Sequence, residues 1–167
     1  MKKHKSSSLH SSLSYSNRDY FRTYYTQQSP PDSSTFSFCI FNCQSPSEGG
    51  AIYFTGSSSS LTITDSTFYQ CNSTGGWGGA VYCVSCGIVT IQRSSFLECT
   101  CTAFIAVGAG AMVDLSAALP EITENDFIRC SAAQDAGGLY IYRTTGGTDG
   151  VNLPVKECRF ISCSRTE

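Results

Sequence analysis

Residues 66–71 read STFYQC, and the pattern returns as SSFLEC at 94–99, NDFIRC at 125–130 and CRFISC at 158–163. A weaker first copy has Ile40 at the Phe position and Cys43 at the Cys position. The steps from one Cys to the next are 28, 28, 31 and 33 residues. A near-constant period of this length is typical of repeat proteins, in which each repeat packs mainly on its neighbours.

Other apolar positions keep the same register. Five and seven residues before the Phe position lie two apolar columns, Ile63, Ile91, Ile122 and Val155 in the first and Leu61, Val89, Pro120 and Leu153 in the second. A glycine signal precedes them as GGAIY at 49–53 and GGAVY at 78–82, with later copies GAMV at 110–113 and GGLYI at 137–141. Each repeat therefore holds three short apolar segments separated by turn-forming residues.

Three strands per repeat predict an all-β fold, a right-handed parallel β-helix of about four to five coils. Each coil lies about 4.8 Å from the coil before it, so equivalent residues stack in columns. The Phe positions are then expected to form an internal aromatic column, made of Phe68, Phe96, Phe127 and Phe160.

The tyrosines predict which residues of the strand after the glycine signal point outward and which point inward. A buried phenol needs a hydrogen-bond partner, so we expect Tyr53 and Tyr82 to point outward. The inward residues are then expected to be Ile52, Val81 and Met112. This parity also turns Asp114 inward, so the strand is expected to end or bulge there.

With these motifs the chain resembles the polymorphic outer-membrane-protein repeats, in which Gly-Gly-Ala-Ile alternates with Phe-x-x-Asn. The first motif stands here as GGAI at 49–52 and GGAV at 78–81, over a resemblance that covers about residues 35–167. The second departs, because Cys takes the place of Asn at Cys71, Cys99, Cys130 and Cys163. The resemblance implies the pectin-lyase-like β-helix class, whose members include adhesins and enzymes. The Cys-bearing repeats also resemble surface proteins of parasitic protists.

Composition narrows the function classes. A formal net charge of −2 gives no reason to expect nucleic acid or an anionic membrane as partner. No apolar run follows the basic residues 1–5, so no signal peptide is predicted, and the most apolar stretch, 103–113, is too short to span a bilayer. The 10 cysteines favour an oxidising compartment, so the expected location is extracellular or at the cell surface.

The two ends depart from the repeat. Residues 1–34 form a Ser-rich tail in which residues 16–28 fit a capping helix and a degenerate coil equally well, with a linker predicted at 29–34. The repeat domain is assigned to residues 35–167, which stop at Glu167 without a visible polar cap. We therefore expect either a truncated solenoid or an open end that packs on further coils, on a partner or on itself.

Cysteines are the first candidate site. The Cys column predicts reduced, structural thiols, because side chains of parallel strands in register point the same way and suit a bridge poorly. The pairs Cys83/Cys86 and Cys99/Cys101 could hold zinc, but a structural or disulfide role is favoured. His4 and His10 lie in the tail, so no metal site and no cofactor is predicted.

Acidic residues are the second candidate. Three residues before each Phe position stand Asp65, Arg93, Glu124 and Glu157. Stacked carboxylates can bind calcium or cleave polysaccharides, but the interposed Arg93 favours an exposed salt-bridge ladder. The glycine-rich residues 75–79 read as a turn, with Trp77 either a surface contact or packed on the neighbouring coil. One glycosylation sequon begins at Asn72.

No catalytic residues are predicted. The favoured function is a non-enzymatic cell-surface or secreted repeat module, adhesin-like or structural, that contacts a glycan or a host or cell-surface protein. The alternative is a fragment of a carbohydrate-active enzyme of the polysaccharide lyase or hydrolase type.

Overall fold

The computed structural model describes residues 33–36, 39–55, 60–115, 120–143 and 155–165. They form a β-solenoid of about four turns, whose strands fall into four parallel sheets. Each sheet takes one strand from each successive coil. The predicted all-β parallel architecture is confirmed.

The isoleucine sheet carries the Leu-x-Ile segments. Its strands are β1 (Ser33–Phe36), β5 (Ser60–Thr64), β9 (Ile88–Gln92), β13 (Glu121–Thr123) and β17 (Val155–Lys156). Ile63, Ile91, Ile122 and Val155 follow one another in register, as predicted. Because β1 begins at Ser33, the described solenoid starts inside the predicted linker, two residues before the assigned boundary. Residues 1–32 lie outside the described residues.

The phenylalanine sheet lines the core with aromatic rings. Its strands are β2 (Cys39–Phe41), β6 (Thr67–Tyr69), β10 (Ser95–Leu97), β14 (Asp126–Ile128) and β18 (Arg159–Ile161). The Phe68 and Phe96 ring centroids lie 4.9 Å apart, and the next two steps are 4.8 and 4.9 Å. Phe68, Phe96 and Phe127 are fully buried. The predicted aromatic column is confirmed, with Ile40 paired to Phe68 at its start.

A short sheet follows the Cys column and adds a fourth strand to each coil. Its two-residue strands are β3 (Gln44–Ser45), β7 (Asn72–Ser73), β11 (Thr100–Cys101), β15 (Ser131–Ala132) and β19 (Ser164–Arg165). The three strands expected per coil are all present. The fourth carries no recognisable apolar pattern, because a strand this short places only one residue inward.

The tyrosine sheet corrects the predicted register. Its strands are β4 (Ile52–Thr55), β8 (Val81–Cys86), β12 (Ala111–Leu115) and β16 (Leu139–Arg143). Ile52 and Val81 point into the core as predicted, but their partner in the third coil is Ala111. Met112 instead stacks with Tyr82 on the outer face, so its predicted inward placement is wrong.

The same correction removes the reason for a strand end at Asp114. Strand β12 runs on to Leu115, while the register against β8 shifts between Val113 and Leu115. The extra residue belongs to β8, where Ser85 has a φ of 54°. A bulge therefore lies beside the predicted position, on the neighbouring strand.

The turn column that precedes the tyrosine sheet is one of three with left-handed backbone, and it yields a stability prediction. Gly49, Gly78 and Gly108 hold its first three places with φ of 59°, 68° and 68°, and Ala136 holds the fourth with φ 51°. Left-handed backbone costs a residue with a Cβ roughly 1–2 kcal/mol, and glycine avoids this at some cost in unfolded-chain entropy. We expect Ala136→Gly to raise the free energy of unfolding by up to about 1 kcal/mol in urea titrations.

Gly78→Ala is the reciprocal variant. A Cβ at Gly78 would lie 2.3 Å from the backbone oxygen of Val81, so the backbone must shift. We expect a loss of stability larger than the gain from Ala136→Gly. Equal and opposite effects would contradict this reading, because they would leave no contribution from the clash.

Candidate interaction surface

The predicted charge ladder is present in part. Arg93 donates to both carboxylate oxygens of Asp65, from Nε at 2.8 Å and from Nη2 at 2.9 Å. The Arg93 guanidinium lowers the pKa of Asp65 below its usual value. Glu124 acts on Arg93 only through longer-range attraction, and among the described residues Glu124 and Glu157 form no ion pair within 4.0 Å.

Two further ion pairs join neighbouring coils at positions that the sequence analysis did not single out. Arg129 pairs with Glu98, whose other carboxylate oxygen accepts from Gln70 Nε2 at 2.9 Å. Arg159 pairs with Asp126 and donates from Nε at 2.6 Å. The hydrogen bonds from Gln70 and then Arg129 lower the pKa of Glu98. Each described ion pair thus neutralises a carboxylate across one coil step.

The outer face of the tyrosine sheet carries a second apolar cluster, outside the core. Tyr82, Val107 and Met112 are buried there, and Tyr53, Trp77, Val84 and Tyr140 pack against them. The Tyr82 ring meets Tyr53 edge-on at 5.5 Å and Trp77 edge-on at 5.7 Å. The predicted outward direction of Tyr53 and Tyr82 is confirmed, although Tyr82 is covered by its neighbours.

The turn at residues 102–107 covers this cluster and extends beyond it. Trp77 Nε1 donates to the backbone oxygen of Ile105 at 2.7 Å, which fixes the turn to the coil before it. Trp77 therefore packs on the neighbouring coil, one of the two alternatives left open by the sequence. At the tip, Phe104 is 88% exposed and Ile105 is 55% exposed. We call Phe104 and Ile105 the apolar tip.

The spacing of the cysteines carries a signal for this tip. The third Cys-to-Cys step is longer than the two before it, and two of the added residues lie in the turn at 102–107, which overlaps the apolar stretch 103–113. An apolar insertion in a turn between short strands points to surface contact.

The Cys column is buried and in line, as predicted. Cys71, Cys99 and Cys130 are reduced thiols with no exposed surface, and Cys163 is a half-buried one. Their thiols donate to backbone oxygens of the preceding coil, as Cys99 does to Phe68 at 3.6 Å. Cys43 stands buried at the head of the column, and its backbone oxygen accepts from the N–H of Asn72 in the next coil at 2.8 Å.

Cys83 and Cys86 form a disulfide across the bulge of β8. Residues three apart on a regular strand face opposite sides, but the bulge turns both of these into the core. The sequence left a zinc site and a structural or disulfide role open for Cys83 and Cys86, and the structure has the disulfide. Cys101 stands apart as a buried thiol, and burial raises its pKa to about 12.

The remaining candidates have structural surroundings. Asn72 of the sequon lies in β7 and accepts a hydrogen bond from Thr100 Oγ1 at 3.0 Å. Across the described ranges no three His, Cys, Asp or Glu side chains converge as a multidentate metal site requires. His4 and His10 lie outside the described residues.

Comparisons with known proteins place the chain by its fold. A family model described as a right-handed β-helix region matches residues 12–166. No curated protein and no solved structure matches it significantly. No helix in the described part of the chain is long and apolar enough to cross a membrane.

Proposed function

Because the chain belongs to the right-handed β-helix family, we propose that it is a non-enzymatic cell-surface or secreted repeat module, adhesin-like in type, which contacts its partner through the apolar tip. The observation that carries the proposal is the 88% exposure of Phe104 in a turn held from below by Trp77. Phe104 and Ile105 are adjacent and form one contiguous apolar patch, and such patches mark interaction sites more often than single exposed side chains do.

The tip favours a protein partner. Phe104 and Ile105 offer apolar surface without a charged group between them, and buried aromatic anchors contribute strongly to protein interfaces. The adjacent cluster of Trp77, Tyr82 and Met112 keeps the base of the turn ordered, which reduces the entropy lost on binding. A cell-surface protein is therefore the proposed partner, with a glycan as the alternative that the experiment distinguishes.

The disulfide supports an extracellular location. Disulfides persist in oxidising compartments and are rare in the cytosol. Cys83 and Cys86 are paired in the core of the solenoid, so the oxidised form is the one that the native packing accommodates.

The charge pairs support a role without catalysis. Polysaccharide lyases and hydrolases need acidic or basic groups that act on substrate from one groove. Here Asp65, Glu98 and Asp126 each face an arginine of the next coil. The alternative enzyme function would have to use side chains outside these pairs.

The finer family assignment is also a proposal. We propose that the coils are variants of the polymorphic outer-membrane-protein repeat in which Cys takes the Asn place. The columns support this, because Cys71, Cys99 and Cys130 occupy equivalent inward places one coil apart.

The experiment compares two paired variants of the full chain. Binding to a panel of intact cells and to a glycan array is measured for the wild type, for Phe104→Ser with Ile105→Ser, and for Phe41→Ser with Ile88→Ser as control. Phe41 and Ile88 are both 54% exposed but lie on other sheets. We expect the tip variant to lose at least about tenfold in cell binding, the control to keep it, and both to keep their melting temperatures.

Four outcomes would contradict the proposal. If the wild-type protein binds no cell, or if both variants lose cell binding equally, the tip is not the contact site. Binding to the glycan array alone would replace the protein partner by a glycan. Release of oligosaccharides from a polysaccharide by the wild type would favour the enzyme alternative.

A further inference from the structure

The column of thiols offers a chemistry that the proposed contact function does not use. Five cysteines occupy the same inward place in successive coils: Cys43, Cys71, Cys99, Cys130 and Cys163. The thiols of Cys71, Cys99, Cys130 and Cys163 all approach the equivalent backbone oxygen of the preceding coil, three residues before its column cysteine, at 4.0, 3.6, 3.3 and 3.2 Å. The sulfur atoms thus form a continuous file inside the solenoid.

This geometry brings thiols together two at a time. Each interior sulfur has one sulfur above and one below, and no three donors converge anywhere in the described coils. Tetrahedral zinc and oxygen-preferring calcium therefore have no suitable site in the file. The file does offer a suitable site to an ion that accepts two sulfur ligands in a straight line.

The spacing matches such an ion. Parallel strands lie about 4.8 Å apart, and a metal–thiolate bond is about 2.3 Å long, so two bonds in line span nearly one coil step. Soft thiolate ligands favour monovalent copper among biological metals, and silver(I) shares its preference for two ligands in line. We propose that the thiol column binds copper(I)-type ions, each held in line between the sulfurs of adjacent coils.

Charge balance is compatible with burial. Each monovalent ion displaces one thiol proton to solvent and forms one bond to the resulting thiolate and a second bond to a lone pair of the next sulfur. The column therefore stays neutral as it fills, which avoids the cost of a buried net charge.

The columns also supply native-like replacements for the thiols outside the file. Cys39 stacks with Thr67 and Ser95, and Cys101 stacks with Ser73. Cys158 follows Asn125 and Ser94 in its own column. Serine at Cys39, Cys101 and Cys158 gives a background in which the column and the disulfide hold all the remaining sulfur of cysteine.

The experiment counts silver ions in this background with the disulfide intact. Silver nitrate is titrated in chloride-free buffer, and bound ions are counted by native mass spectrometry alongside the silver–thiolate absorbance. Five sulfurs in file enclose four gaps, so we expect saturation at four ions per chain, with no uptake of zinc. The circular dichroism of the β-sheet should not change.

Position in the column then decides the effect of each variant. Cys99→Ser removes the two gaps on either side of an interior sulfur, so capacity should fall to half, and Cys130→Ser should do the same. Cys163→Ser at the end of the file removes one gap, so three-quarters of the capacity should remain. Two interior variants are used so that the test stands if one of them fails to fold.

The proposal would be overturned if each Cys→Ser substitution removed one silver ion regardless of its position in the column. Thiols that bind silver independently would give that result. Zinc uptake equal to that of silver would overturn it as well. Uptake accompanied by loss of the β-sheet signal would show that silver binds the unfolded chain.

Discussion

Phe96→Ala is expected to lower the free energy of unfolding by about 3–5 kcal/mol, as removal of a fully buried aromatic side chain does in well-packed cores. Phe96 has no exposed surface and stacks on Phe68 at 4.9 Å and on Phe127 at 4.8 Å. The substitution therefore removes two ring contacts and leaves a cavity that parallel strands on both sides cannot close. Urea titration followed by circular dichroism measures the effect.

Phe160→Ala is the control within the same column. Phe160 stacks on one ring only and is 49% exposed, so its loss should cost less than half as much. Phe96→Leu keeps most of the volume and should cost under about 1.5 kcal/mol. Similar losses for Phe96→Ala and Phe160→Ala would mean that the column does not carry the stability assigned to it.

Asn125→Val is expected to lower the free energy of unfolding by about 2–6 kcal/mol, because it leaves two buried backbone groups without partners at roughly 1–3 kcal/mol each. Asn125 is fully buried. Its Oδ1 accepts from the backbone N–H of Ser94 at 2.9 Å, and its Nδ2 donates to the backbone oxygen of Ile91 at 2.8 Å. Valine preserves burial but replaces neither hydrogen bond.

Asn125→Ser tests the hydrogen bonds separately from the volume. In the coil before, Ser94 Oγ accepts from the backbone N–H of Ser66 at 3.2 Å, so a serine in this column can satisfy the turn. The serine variant should therefore be more stable than the valine variant despite its smaller side chain. The opposite order in the same urea titration would show that packing volume, and not hydrogen bonding, governs the position.

These interior columns determine what the outside can display. The Phe and Ile columns hold successive coils in register, and that register aligns the outward residues of each sheet. The paired charges lie in the phenylalanine sheet and in the turns that flank its strands, while the tyrosine sheet carries the apolar cluster beneath the apolar tip. A contact surface of this kind depends on the register of the coils, because Trp77 of the preceding coil holds the turn at 102–107 and Val107 of that turn packs in the cluster with Tyr82 and Met112.

The sequence alone was sufficient to align the columns in which the same residue type repeats from coil to coil. Phe68, Phe96 and Phe127 could be aligned because their neighbours Cys71, Cys99 and Cys130 repeat with them at constant distance. Two coincident apolar positions leave only one register in which both are buried. The same reasoning placed the isoleucine column and the reduced thiols correctly.

Where the repeat lost its residue types, only the tertiary structure decided the register. Residues 108–111 read GAGA, which fits the glycine signal in more than one alignment, and a one-residue slip exchanges the two faces of a strand. Hydrogen bonds between coils resolve it, since the N–H of Gly79 donates to Gly108 and that of Ala80 to Ala109. They place Ala111 inward and Met112 outward.

Contacts across variable turns were likewise beyond the sequence. Arg129 meets Glu98 and Arg159 meets Asp126 because the phenylalanine strands stay in register, although 31 and 33 residues of chain separate the partners. Spacing along the chain alone does not reveal which residues such turns absorb. The amino-acid sequence therefore determined the coil and its core, because burial repeats at a constant spacing. The tertiary structure decided the surface, because surface contacts depend on where each insertion leaves the stack.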